Sequence, residues 1–184
     1  MRTIKPENPA NFAAIEALRA DGPNPEHCEH LMLFGQFVGE WLLDVSFYEP
    51  DGSRQTRFLA DWMFSWILQG RAIQDVLVIP SREERVHEPD APVKSGTTLR
   101  YFDHSLGAWR VLWVGAYTNT YIQLIGRKQG EQIILEGPDV DSSPLRWAFS
   151  EITPHSFLWT GHISKDGGHT WYMEQQMKAK RRIA

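Results

Sequence analysis

From Gly39 onward, short runs of alternating apolar and polar residues recur between clusters of turn-forming residues, and no other feature of the chain limits its fold as much. Trp41, Leu43, Val45 and Phe47 share one face of the first run, opposite Leu42, Asp44, Ser46 and Tyr48, and Pro50-Asp51-Gly52-Ser53 supplies a tight turn. The second run puts Phe58, Ala60, Trp62, Phe64 and Trp66 on one face, and the bulk of these side chains points that face inward. After Gly70-Arg71, the residues Ile73, Asp75, Leu77 and Ile79 share a face on which Asp75 needs a buried partner or water to offset its desolvation. Further runs cover 97–102, 109–116, 121–126, 132–135, 145–152, 157–163 and 171–179. About ten runs at spacings of roughly 8 to 14 residues describe an all-β barrel or sandwich, not alternating β and α units. A meander leaves two open edges unless it closes, so an antiparallel β-barrel is the economical architecture.

The residues before the sheet read as a leader over 1–9 and two short helices. Asn11 is expected to cap the first, with Phe12, Ile15 and Leu18 at helical spacing and Asp21-Gly22-Pro23 ending it. Asn24 caps the second and Pro25 takes its first position, after which Leu31, Phe34, Phe37 and Val38 form an apolar stripe. The expected organisation is a single domain, with residues 1–38 flanking or plugging one end of a barrel over 39–182. Residues 80–96 are the longest polar stretch and read as a loop, either a lid or a solvated excursion.

Composition removes several classes of function. A net charge of -4 lacks the basic excess of a nucleic-acid binder, apart from Lys178, Lys180, Arg181 and Arg182. Cys28 is the single cysteine, so the chain forms no internal disulfide and no Cys-rich metal cage. Met1 to Pro9 shows no secretory apolar region and no segment reaches the ~18 apolar residues of a membrane span, so the expectation is a cytoplasmic protein without membrane contact. Eight Trp, nine Phe and five Tyr supply broad stiff surfaces that serve either a large core or a ligand cavity.

Three stretches in order carry a resemblance: Gly39-Glu40-Trp41; Trp66-Ile67-Leu68-Gln69-Gly70-Arg71 leading to Asp75; and Arg146 to Ile152 with Ser164 to Trp171. Together they resemble the bacterial lipocalin-like (calycin) β-barrel proteins grouped as the 1579 family of domains of unknown function (DUF1579), over about residues 31 to 182. The resemblance implies a lipocalin-like barrel with a cavity and leaves the activity open. Haem-binding nitrobindins have a similar barrel, but the Gly-rich extension and Tyr-Pro associated with their first strand are missing here, where Leu42-Leu43-Asp44 follows Trp41. No haem or other cofactor is expected.

Several constellations have both a functional and a structural reading. Trp62, Trp66, Trp109, Trp113, Tyr121, Trp147 and Trp159 either line a pocket or pack a core. Arg100 and Arg146, if they face inward with Phe102 and Ala148, meet a carboxylate of a guest or of Asp75, Asp61 or Glu174; a structural ion pair is the plainer reading. His162, between apolar neighbours on a strand, is a candidate titrating group in the cavity or a structural histidine. The seven histidines show no metal-binding spacing, so no metal is expected. Ser164-Lys165-Asp166-Gly167-Gly168-His169-Thr170-Trp171 matches a single Asp-box hairpin, with no further copies to build a propeller. The leading expectation is a protein binding a small apolar or aromatic molecule, oriented by Arg100, Arg146 and His162. The alternatives are an isomerase, cyclase or hydratase using Asp75 or His162, and an interaction module such as a homodimer without ligand.

Overall fold

A computed structural model of the chain describes residues 9–182. Ten antiparallel strands close into a barrel in sequential order, each pairing with its chain neighbours and β10 returning to β1. They are β1 (Gly39–Tyr48), β2 (Arg54–Ile67), β3 (Ala72–Ile79), β4 (Lys94–Asp103), β5 (Ala108–Gly115), β6 (Thr120–Gln129), β7 (Gln132–Pro138), β8 (Pro144–Ser150), β9 (Ser156–Ile163) and β10 (Tyr172–Arg181). Closure leaves no free sheet edge, the outcome that the alternating runs imply.

The register sorts every side chain to one wall face. Phe64, Asp75, Thr98, Trp113 and Ile122 stand opposite one another from β2 to β6. Trp66, Ile73, Arg100, Val111 and Leu124 do the same one step away. Both rows face inward with Trp41 and Trp62, so the parity read from the first two strands holds across β1 to β6.

Two short helices precede the barrel. Helix α1 (Pro9–Leu18) starts at a proline, whose missing N–H and fixed φ suit a first helical position, so Asn11 lies inside the helix instead of capping it. The expected leader over residues 1–8 lies outside the described residues. Asn24 does cap a start: its side chain accepts from Glu26 N at 3.1 Å, opening a 3-10 turn at Pro25 that runs into α2 (Cys28–Gly35). Helix α2 plugs one end of the barrel. Leu31, Phe34 and the following Phe37 are buried, with Phe37 packing against Phe149 and Phe157 at 4.8 and 4.9 Å between ring centroids. The Trp41 indole donates to Phe37 O at 2.7 Å, and Arg181 lies 4.1 Å above that indole while donating to Gln36 O and Val38 O.

Residues 80–93 are held against the barrel at their start and are mostly exposed over 86–93. They contain α3 (Arg82–His87), and Ser81 Oγ accepts from Glu84 N in the capping pattern that Ser81-Arg82-Glu83-Glu84 announces. The segment is strapped to the outer wall of β2, where Ser81 N donates to Leu59 O and Glu84 accepts from Leu59 N. Those two bonds satisfy β2 beyond the last residue of β3. Asp61, also on the outer wall, is 2% exposed in its side chain and lies within salt-bridge distance of Arg82, Arg85 and Arg182. No helix among the described residues is long and apolar enough to cross a membrane.

Candidate functional site

The two halves of the barrel interior are built differently. Toward the α2 end the lumen is filled: Phe34, Phe37, Trp41, Phe64, Trp109 and Phe149 are at most 2% exposed. Toward the other end, Phe47, Phe58, Ile79, Trp113, Trp147 and Tyr172 occupy inward positions but stay only partly buried. They pack against the core on one side and keep part of their surface toward that mouth of the barrel, where the inward Leu145 and Ile163 are nevertheless buried.

The indoles of this open half lie along the wall. A Cβ added to Gly96 would stand 2.2 Å from Trp113 Cη2 and 2.5 Å from its Cζ2, so the absence of a side chain at Gly96 lets the ring rest on the β4 backbone. Gly161 does the same for Trp159, whose Cη2 is 3.0 Å from such a Cβ, and Trp147 follows at 5.4 Å from Trp159 between ring centroids. Both glycines thus make room for an indole beside the strand backbone, and an aromatic surface is what a flat guest stacks on.

Between the halves sits a buried ion pair. Asp75 and Arg100 are 0% and 2% exposed, and the Arg100 guanidinium donates to Asp75 Oδ2. Asp75 Oδ1 also accepts from Trp62 Nε1 at 2.7 Å and from Thr98 Oγ1 at 3.2 Å. The Arg100 guanidinium carbon lies 5.4 and 5.3 Å from the Phe34 and Phe64 ring centroids. Asp75 thus has the buried partner its position requires, and its oxygens are occupied.

Three residues expected in the lumen lie on the outer wall. Arg146 is aligned with His162 and outside with Ala148; its Nε donates to Glu136 at 2.8 Å and its guanidinium covers Trp171 at 4.7 Å. The reason is register: Leu145, Trp147 and Phe149 take the inward positions of β8, which leaves Arg146 outside. His162 is outward and half-buried for the same reason, opposite Arg146, and does not face Asp75. Tyr121 is opposite the exposed Val114 and is itself 52% exposed. Trp66 and Trp109 face inward but pack in the filled half, Trp66 across Gly35 of α2 and Trp109 edge-on to Phe34 at 4.9 Å. Trp62 is similarly occupied by Asp75, and Trp159 is 5% exposed opposite Phe149, leaving Trp113 and Trp147 as the expected lining residues that stay partly buried toward the open end.

The sequence reading missed Phe47, Phe58 and Tyr172 as lining residues, although period-two alternation already set the first two on the inner face. Glu174 lies at a bulge in β10, close to this end. Burial first, then Asp139, pushes its carboxyl above the ordinary glutamate range, while Lys165 opposes and Asp141 adds to the push. The Asp-box hairpin is a turn: Asp166 accepts from Thr170 N at 2.8 Å, and Trp171 donates to Gly168 O at 3.2 Å.

His162 carries a pH effect. Burial, and secondarily Arg146, lowers its pKa below the ordinary histidine value, so the unfolded chain takes up the proton at higher pH than the folded one. Folding stability therefore falls as pH drops below about 6.5. His162→Gln is expected to flatten the curve of melting temperature against pH between about 6.5 and 5; an unchanged slope would refute the assignment.

A closed ten-stranded antiparallel barrel with a helical plug and an aromatic inner wall is a lipocalin-like, or calycin-like, barrel. A structure search finds the same fold in an S-type phycobiliprotein lyase from Guillardia theta, with a TM-score of 0.58 and 13% sequence identity, covering 88% of this chain and 99% of that one. At that identity the similarity concerns the fold. No family model matches the chain, and no curated protein matches it.

Proposed function

We propose that this barrel binds one flat, largely apolar or aromatic small molecule in its open half. The observation that carries the proposal is the placement of Trp113 against Gly96 at the end of the lumen where Phe47, Phe58 and Tyr172 stay partly buried, opposite the end filled by Phe34 and Phe37. Partly exposed aromatic walls lose water on contact with a guest, at about 25 cal/mol per Å² of apolar surface. The reading rests on this chain's own side chains; the phycobiliprotein lyase contributes the fold alone. Kinship with the 1579 family, suggested by the motifs, is compatible with such a cavity. The lone exposed Cys28 fits a reducing, cytoplasmic setting.

The test is native mass spectrometry of gently purified protein, followed by titration with 1-anilinonaphthalene-8-sulfonate. The expected result is one saturable site per chain, weakened at least tenfold by Gly96→Val, whose side chain forces Trp113 off the wall and into the lumen. Far-UV circular dichroism of the variant checks that the barrel persists. Absence of both a co-purified mass and a saturable site refutes the reading and favours an interaction module, whose oligomeric state the same spectrum reports.

A further inference from the structure

The outer wall of the barrel from β2 to β6 carries an exposed surface without charge. Met63, Val76, Thr97, Val114 and Tyr121 stand opposite one another across it, and Val76, Val114 and Tyr121 are 38%, 39% and 52% exposed. The neighbouring outward row has Leu99 and Leu112 at its centre, with Ser65 and Gln74 on one side and Gln123 on the other. Neither row holds a charged residue. The charges that flank them are paired within the chain: Glu40 and Asp61 with Arg82, Arg110 with Asp103, and Glu136 with Arg146. On the far wall, by contrast, outward positions of β1 and β10 carry Asp44, Lys178 and Lys180. An uncharged centre inside a polar rim is the anatomy of a protein interface.

Helix α1 stands beside this wall. Its Ile15 is 61% exposed, and Ile15 and Leu18 border a groove of about 400 Å³ shared with Met63, Gln74 and Val76 of the wall. Arg19, which also borders the groove, is paired with Asp21. The backbone bonds from α1 to the barrel lie at its end, where Leu68 N donates to Leu18 O and Ala20 N to Trp66 O. A helix of 10 residues is marginal in water unless one face is packed. The chain thus presents an uncovered helix and an uncovered wall side by side, and a twofold axis lets each copy cover both for the other.

We propose that the protein forms a homodimer through the outer wall of β2 to β6, about a twofold axis running along β4. That axis sets β2 and β3 of one copy against β6 and β5 of the other, so that Val76 faces the partner's Val114. Two convex barrel walls leave a wedge on either side of their line of contact, and each α1 fills one. The uncharged wall and its paired rim bring no like charges together. Wall and helix together offer roughly 500 Å² per copy, about 1,000 Å² in all, near the lower bound for a specific interface. The dimer is accordingly expected to dissociate in the micromolar range. The interface lies outside the lumen and does not depend on the binding reading.

Sedimentation velocity on the full chain, between about 1 and 200 µM, is expected to show monomer passing to dimer. Val114→Glu and Val76→Lys each bury an unpaired charge against the partner and are each expected to weaken association at least tenfold. Far-UV circular dichroism checks that both variants keep the barrel. Mixing the two variants is expected to restore a dimer, because the introduced lysine and glutamate then face each other. A parent that stays monomeric overturns the proposal: α1 covers its own wall if Ile15→Lys lowers the melting temperature, and the wall serves a different partner if it does not. A dimer untouched by both charge variants, or a mixture that stays monomeric, overturns it as well.

Discussion

Replacing Arg100 by Leu is expected to cost about 3–5 kcal/mol of folding stability, because it strands the Asp75 carboxylate in the barrel interior without its counter-charge. For a chain of this size that corresponds to a drop in Tm on the order of 10 °C. Both partners are almost wholly enclosed. Arg100 Nε has no hydrogen-bond partner, so the guanidinium is not fully compensated even in the intact pair. The pair is therefore a poor source of net stability and a severe liability when halved. Changing both members, as Asp75→Asn with Arg100→Met, is expected to recover most of the loss, since the carbonyl of the introduced amide can still accept from Trp62 and the methionine fills the space between Phe34 and Phe64. Urea unfolding of the parent, the single variant and the double variant decides the matter. A single Arg100→Leu variant within about 1 kcal/mol of the parent would show that the Asp75 charge is relieved in some other way.

The second large effect is expected at Phe37. Phe37→Ala should cost about 3–5 kcal/mol, as large aromatic truncations do in filled cores. Its ring is 1% exposed and meets Phe64, Phe149 and Phe157 with centroids 5.9, 4.8 and 4.9 Å away. Phe47→Ala, equally inward on β1 but only partly buried and meeting one ring, Phe58 at 5.9 Å, should cost less, about 1.5 kcal/mol or below. The comparison tests the division of the interior into a plugged and an open half. Equal losses would mean that the interior is packed throughout, and the proposed site would have no room for a guest.

Much of the architecture was legible in the chain. Alternation in the first two strands set Trp41, Val45, Trp62 and Phe64 on one face because a strand has only two faces, and ten runs joined mostly by short turns, with no helix long enough for a parallel crossover, had to pair with their neighbours. The need of Asp75 for a buried partner followed from desolvation alone, and Asn24-Pro25 announced its helix start. The short α3 carried a readable sign in Ser81-Arg82-Glu83-Glu84, but the polar composition of 80–96 obscured it.

The contents of the site were less legible. On β8 both alternating sets contain apolar residues, Ala148 on one side and Trp147 with Phe149 on the other, so composition alone does not say whether Arg146 faces in or out. Closure decides it, by pairing Trp147 with Leu135 and Gly161 and Arg146 with Glu136 and His162.

The sequence by itself determined the strand count, the turns and the face assignments of the first strands, because these depend on neighbours within a few residues. Only the tertiary structure decided which arginine meets Asp75, that the start of α3 is bonded to the outer wall of β2, and that Trp113 rests against Gly96. Those outcomes depend on which residue stands opposite which across the closed barrel, and register is set by all ten strands at once.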